Sequence, residues 1–186
     1  MQDVTRDNFG LLIAYILPGF VVLWGVCTFS ATVRGWVGVS SAQSPTVGGF
    51  LYVTVAAVAV GMVVSTIRWL IVDRLHQLTG IPLPKWNFTR LGDNLSAFDL
   101  LVDSHYRFYQ FHANMLVAVA FTFFAYATTT GLRGQVDLIL VGSFVIVEVI
   151  LWVGSRDTLR KYYERTYALM NVDDDNVAGE SLSLPK

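Results

Sequence analysis

The sequence predicts an all-α integral membrane protein: four transmembrane helices, with helical cytoplasmic extensions of the third and fourth. Three observations carry this. Of the 186 residues, 54% are hydrophobic and only 15% charged, against ~25% charged in a typical soluble domain, and the mean hydropathy is +0.52. Four nearly uncharged runs, at about 9–31, 47–72, 112–130 and 136–153, each supply the ~20 apolar residues that a ~30 Å hydrocarbon core requires. Finally, eleven of the thirteen Lys and Arg fall in the N-terminal tail, the long central connection with its flanks, and the C-terminal region. Only Arg34 and Arg133 lie in the two short loops. Because the positive side faces the cytoplasm, both termini and the long connection are expected inside, in the cytoplasmic (inner) membrane of a multi-pass protein.

Taken in order, 1–8 form a cytoplasmic tail and 9–72 the first pair of spans. Residues 73–111 form a cytoplasmic connection and helix, and 112–155 the second pair. A cytoplasmic helix follows over 156–172, then an acidic tail over 173–186 whose composition predicts disorder. The first run is interrupted by Pro18-Gly19. Proline removes a backbone hydrogen bond and glycine admits a close neighbour, so this pair predicts a kink used for packing or a gating hinge. A signal peptide cleaved after Ala31 is the alternative for this run. Asp3 and Asp7 beside the single Arg6, and the length of the run, argue against it. Ala56, Ala57, Ala59, Gly61 and Ser65 predict a tight helix–helix face on the second span. That span should run to Leu78, with Gly80 as its cap and Pro82 and Pro84 blocking continuation. The loop beyond it holds a Trp86–Phe88 contact point.

No glycine or proline occurs from Asn94 to Thr130, which predicts one helix of about 36 residues, ~54 Å long, with ~20 Å outside the hydrocarbon. The fourth span likewise continues past Gly154 to about Met170. The short turn between the third and fourth makes them antiparallel neighbours. Their extensions should then bring Asp99 and Asp103 opposite Arg160, Lys161 and Arg165, with at least one ion pair.

Within the membrane, Arg68 and Glu148 are the candidates for chemistry. An intramembrane charge must be paired, neutralised or hydrated, and a buried Arg68–Glu148 pair is expected, as a structural clamp or as part of an ion or proton path. Tyr106, Arg107, Tyr109 and Phe111 predict an interfacial belt, with the arginine reaching headgroup phosphates. His105 and His112 are two turns apart, ~10 Å, too far to ligate one metal together. His76 could approach them, but no HExxH pattern supports a metal site, and none is expected. Cys27, the single cysteine, reads as a small core hydrophobe. Sequons at Asn87 and Asn94 fall on the cytoplasmic side, where they are chance matches. Signatures of serine hydrolases, phosphate-binding loops, redox dithiols and head-group transferases do not occur. The net charge of −1 gives no electrostatic reason for a nucleic-acid partner. No cofactor is expected.

Two phrases, NFGLLIAYILPGFVVLWG and HYRFYQFHANMLVA, resemble a group of small bacterial four-span membrane proteins. In size and architecture the chain also looks like the membrane effectors of anti-phage defence, the Hailong type among them, in which a nucleotidyltransferase partners an oligomeric channel. That resemblance implies a homo-oligomeric effector regulated by a cytoplasmic protein or a nucleotide-derived ligand, and assigns no residue a role. The residues themselves leave three functions open. One is an oligomeric ion channel gated through its cytoplasmic helices. The second is a non-conducting scaffold or sensor docking a cytoplasmic partner. The third is an intramembrane enzyme, which would need a polar cavity joining Glu148 to His105 or His112.

Overall fold

The computed structural model describes residues 10, 12–37, 47–88, 91–92, 94–131 and 135–181, with the side chains of the last helix described for 137–171. Among the described residues all regular structure is helical. We number the helices α1 (Leu12–Val26, beginning as a π-helical turn over Leu12–Ile16), α2 (Ala31–Trp36), α3 (Val47–Leu78), α4 (Leu95–Thr130) and α5 (Gln135–Ser181). Three of them, α3, α4 and α5, are long and apolar enough to cross a membrane, which points to a membrane protein.

The apolar helix α1 is shorter than the expected first span of 9–31. Its ladder breaks at a turn over 27–29 and the chain restarts at Ser30, whose Oγ accepts from the Val33 N–H at 3.4 Å and so caps α2. At ~1.5 Å per residue α1 covers ~22 Å, short of a full hydrocarbon core. The expected loop between the first two runs therefore begins as a helix, and its remainder, 38–46, lies outside the described residues. So do residues 1–9, which include the whole of the expected N-terminal tail, and 182–186.

Helix α3 ends where the punctuation predicts. Gly80 takes φ +96°, the left-handed value that glycine adopts freely, and the Ile81 N–H returns to the His76 carbonyl at 3.0 Å. This six-to-one bond closes the helix, and Ile81 turns into the core beside Val72, Tyr109, Ala113 and Leu159. Helix α4 is continuous from Leu95, as the unbroken sequence predicts, with a π-helical turn at Val102–Tyr106. Helix α5 continues past Gly154, and its backbone stays helical to Ser181. The acidic stretch from Asp173 was expected to be disordered; no proline interrupts it before Pro185.

Helix α4 is the centre of the bundle, with α1, α3 and α5 packed on it. Its antiparallel register with α5 is fixed by the Phe123 and Phe144 rings, stacked at 4.0 Å, and by Gly154 against His112. A methyl at Gly154 would sit 2.8 Å from the imidazole. Helix α3 presents a stripe of Val53, Ala57, Gly61, Val64, Arg68, Val72 and His76, at the three- and four-residue spacing of one helix face. On this stripe α1 and α3 touch backbone to backbone. A Cβ on Gly19 would lie 1.9 Å from the Ala57 carbonyl oxygen, and one on Gly61 2.1 Å from that of Tyr15. Of the small residues expected on this face, Ala57 and Gly61 are on it, whereas Ala59 is exposed.

Candidate functional site: a buried polar cluster and a lone carboxylate

The first polar feature follows from Pro18. Proline has no N–H for the carbonyl four residues earlier, that of Ala14. Asn114 of α4 supplies the missing donor: its Nδ2 gives a hydrogen bond to Ala14 O at 2.7 Å, with Asn114 wholly buried. One turn away, Gln110 Nε2 donates to the Tyr15 hydroxyl at 3.2 Å, and two turns the other way Thr122 Oγ1 donates to Val21 O at 2.7 Å. A polar row at i, i+4 and i+12 of α4 thus sits along α1. Pro18 and Gly19, expected as a kink or hinge, are both buried inside this contact.

The larger cluster lies where α3, α4 and α5 converge. Arg68, 4% exposed, pairs with Asp73 of its own helix, Nη1 to Oδ1 at 3.4 Å. Its guanidinium lies 5.2 Å over the Tyr109 ring, and the Tyr109 hydroxyl donates to Asp73 Oδ1. One turn further along α3, His76 is fully buried and stacked on Trp152 of α5 at 4.5 Å. Its Nε2 is 3.0 Å from Ser155 Oγ. The Ser155 hydroxyl donates to Trp152 O at 2.9 Å, so it accepts from an Nε2–H tautomer of His76, an assignment made from the network. Arg156 closes the edge by donating to Thr79 O and Thr79 Oγ1, both at 2.6 Å, and so caps the carbonyl end of α3 with a cation.

Ser155, His76 and Asp73 are the residue types of a hydrolytic triad, but the geometry is that of a clamp. Ser155 and His76 are completely buried, so no substrate reaches the hydroxyl. His76 Nδ1, which a triad carboxylate would engage, has no hydrogen-bond partner among the described residues, and Asp73 is taken by Arg68 and Tyr109. What the arrangement can do is hold three helices in one register.

Several expectations are corrected here. Arg68 does not meet Glu148. The contacts of Phe144 with Phe123 and of Gly154 with His112 put Glu148 level with about residue 118 of α4, whereas Arg68 lies at Tyr109. Nine residues of helix separate the two depths, roughly 14 Å. Glu148 is half-buried, and its Oε1 is buried with no hydrogen-bond partner among the described residues. The cross-helix ion pairs do not form either. Arg160 binds Glu164 and Lys161 binds Asp157, each at 2.6 Å and four residues away on α5. Asp103 faces Arg107 at 3.8 Å, and Asp99 is exposed. A carboxylate on the same helix is reached without bridging two helices, and it wins. The expected register nevertheless appears in Arg165, whose Nη1 lies 2.5 Å from His105 Nε2 across the α4–α5 gap.

The belt of Tyr106, Arg107, Tyr109 and Phe111 is largely an interior. Tyr109 is 1% exposed, Tyr106 lies 5.1 Å from Tyr162 and 5.9 Å from Tyr109, and Arg107 lies against Gly10. Phe111 is half-buried, edge-on to His112. Below them Trp86 is surrounded by Phe88, Tyr162 and Tyr163 at 5.9, 5.9 and 6.0 Å, so the expected Trp86–Phe88 contact straps the α3–α4 connection onto α5. Outside the segments read as spans, burial pushes the Tyr162 and Tyr163 hydroxyls up to about 12. Burial and the neighbouring Arg165 hold His105 below the usual imidazole value. His112 Nδ1 is 2.7 Å from the Phe108 carbonyl. Cys27 is buried, as expected of a core residue.

Sequence reasoning missed Asp73, Ser155, Trp152 and Asn114. Only Asn114 had a signal, an amide inside an apolar run opposite a helix that lacks one N–H. Comparison with family models, with curated proteins and with solved structures gives no match.

Proposed function

We propose that this chain is a four-span membrane protein that works as a homo-oligomeric, ion-conducting effector of the bacterial inner membrane, gated through its cytoplasmic helices. In this reading α1 and its flanking residues make the first span, and the termini and the α3–α4 connection are cytoplasmic. Anti-phage defence, with a cytoplasmic protein or nucleotide-derived ligand as trigger, is the setting that the resemblance implies. The observation that carries the reading is Glu148. A carboxylate inside the hydrocarbon is expensive unless something meets it, and no described residue of this chain hydrogen-bonds its Oε1. In this reading water in a path formed by the oligomer does so. The broad apolar faces of α3 and α5, with Phe50, Ile139 and Ile150 all exposed, offer surface for further copies as well as for lipid. Flux of a monovalent cation from liposomes holding the purified chain tests this. We expect flux that Glu148→Gln lowers with the oligomer intact; an oligomer that conducts under no ligand condition contradicts it.

A second reading, a non-conducting scaffold or sensor, is favoured by the clamp. Three helices locked by buried polar contacts, with α4 and α5 running on beyond them, form a rigid mount for a partner. Charge reversal at Arg160 would then abolish partner binding while Glu148→Gln changes nothing. An intramembrane enzyme has less support. Among the described residues, neither of the cavities of about 490 and 340 Å³ is lined by Glu148, His105 or His112.

A further inference from the structure

Where α3 ends against α5, a cavity of about 340 Å³ lies between the Gly80–Pro82 turn and Arg156, Arg160, Tyr163 and Glu164 of α5. The charges around it do not cancel. Glu164 is met by Arg160, Oε1 to Nε at 2.6 Å, and Asp157 by Lys161 at the same distance. Among the described residues Arg156 has no carboxylate. Its two hydrogen bonds go to the hydroxyl and the carbonyl of Thr79, both uncharged, and the carbonyl end of α3 returns only about half an elementary charge to it. Those bonds occupy two of the five N–H groups of a guanidinium. Arg160, with its side chain 72% exposed, has spent only Nε. The cavity thus presents one unbalanced cation, with spare donors from two arginines a single turn apart on one helix face.

Depth narrows the choice of anion. The fourth apolar run ends at Val153, and Arg156 lies three residues beyond it, ~4.5 Å along the helix. Headgroups occupy about 5–7 Å on each side of a ~30 Å hydrocarbon core, so Arg156 lies in the layer that lipid phosphates fill. Arg160 is one turn, ~6 Å, further out, a distance that its flexible stem spans. Leu78 and Leu83, before and after the turn, are both exposed. They give the glycerol and first methylenes of a lipid an apolar neighbour, which a soluble anion has no use for.

We infer that this cavity binds the phosphodiester of one phospholipid of the cytoplasmic leaflet, its phosphate on Arg156 and Arg160 and its glycerol end beside Leu78 and Leu83. The inference rests on the membrane reading above, which puts this end of α5 at the cytoplasmic surface. A phosphodiester carries one negative charge, matching the one cation left unbalanced, and its two unesterified oxygens accept from two guanidiniums at once. Since Arg156 also ties α3 to α5, the lipid joins the polar end of the bundle to its leaflet.

The test weighs the full chain, purified in a phosphate-free sugar detergent, by native mass spectrometry with three probes. These are dioleoyl phosphatidylglycerol, dioleoylglycerol, which lacks the phosphate, and glycerophosphoglycerol, which lacks the chains. We expect one phosphatidylglycerol to be retained per chain, and neither control at the same concentration. Arg160→Gln should weaken retention about fivefold, the usual worth of one basic side chain at a lipid surface. Pro82→Glu, which adds a carboxylate on the exposed turn, should weaken it at least as much. Glu164→Gln removes the competing carboxylate and should strengthen it. Arg74→Gln, an exposed arginine of α3 outside the cavity, should leave it unchanged. Arg156→Gln would also uncap α3, so these variants carry the test, each with its melting temperature measured alongside. Equal retention of dioleoylglycerol overturns the proposal, as does unchanged retention in both Arg160→Gln and Pro82→Glu, or a loss in Arg74→Gln as large as in Arg160→Gln. Glycerophosphoglycerol binding as tightly as the lipid overturns it too, by making the site one for soluble phosphodiesters. Failure of the membrane reading would look different: the chain would leave vesicles under alkaline wash before any detergent is added.

Discussion

The two ends of the bundle hold together by different means. At the end carrying His76, Tyr109 and Ser155, three helices converge on buried polar contacts, and α3 and α5 meet directly. At the opposite end α1 and α5 diverge, contacts are aromatic and aliphatic apart from the Thr122 hydrogen bond to Val21 O, and a groove opens between them. In a bilayer, apolar contacts between helices compete with equally apolar lipid, so they fix little. A buried hydrogen bond or ion pair has no such competitor. The polar end therefore sets the register of the bundle, and the apolar end is where shape can change.

The largest effect that would break this contrast is at Arg68. Arg68→Met leaves Asp73 as a half-buried charge without its cation, and we expect a loss of about 3 kcal/mol or more of stability in micelles. Adding Asp73→Asn should restore much of it. If Arg68→Met behaves like a substitution of exposed Trp69, the polar end does not set the register. Next in size is Gly61→Ala, which drives a methyl to 2.1 Å from Tyr15 O and should cost ~1–3 kcal/mol through the forced separation of α1 and α3. Gly35→Ala, with open space around it, is the matched control and should be neutral or slightly stabilising. Thermal denaturation followed by circular dichroism reads both.

Asn114→Ala should cost ~1 kcal/mol, the usual worth of an interhelical hydrogen bond in membranes. It frees the Ala14 carbonyl, so Pro18→Ala, which restores the N–H, should reduce that loss. Unchanged cost in the double variant would remove Asn114 from this role.

The smallest effect is expected at His105. Its folded-state affinity for protons is depressed below that of an ordinary imidazole, first by burial and then by Arg165. The unfolded chain then binds the extra proton more readily, so the stability this contact supplies is complete above about pH 6.5 and is lost as pH falls below it. Acidification from pH 7.5 to 5.5 should loosen the α4–α5 extensions, read as faster amide exchange around Ser104 and Glu164, and His105→Gln should abolish the change.

The sequence made the elements legible where local chemistry decides them. Gly80, Pro82 and Pro84 announce the end of α3, and the absence of any breaker from Asn94 to Thr130 announces α4. The short α4–α5 turn likewise announces an antiparallel pair whose register survives in the Arg165–His105 contact. Partner choice was less legible because it depends on depth and rotation together. Arg68 and Glu148 are each far from a helix end, yet only the inter-helix contacts reveal the ~14 Å between their levels. Tyr109 belongs by type to a headgroup belt or to a core equally well, and the α3 stripe decides between them. His76 and Ser155 are 79 residues apart, with no periodicity linking them.

The central functional claim is that water reaches Glu148 inside the membrane once the oligomer forms. Cysteine placed at position 148, 146 or 150, in a Cys27→Ala background, and exposed to a membrane-impermeant thiol reagent in sealed vesicles tests it most directly. The account predicts that position 148 reacts in the oligomer while 146 and 150, which face lipid or an apolar contact with another copy, do not. Protection of 148 to the same degree as 146 and 150, in vesicles where the oligomer is intact and conducting, would contradict it.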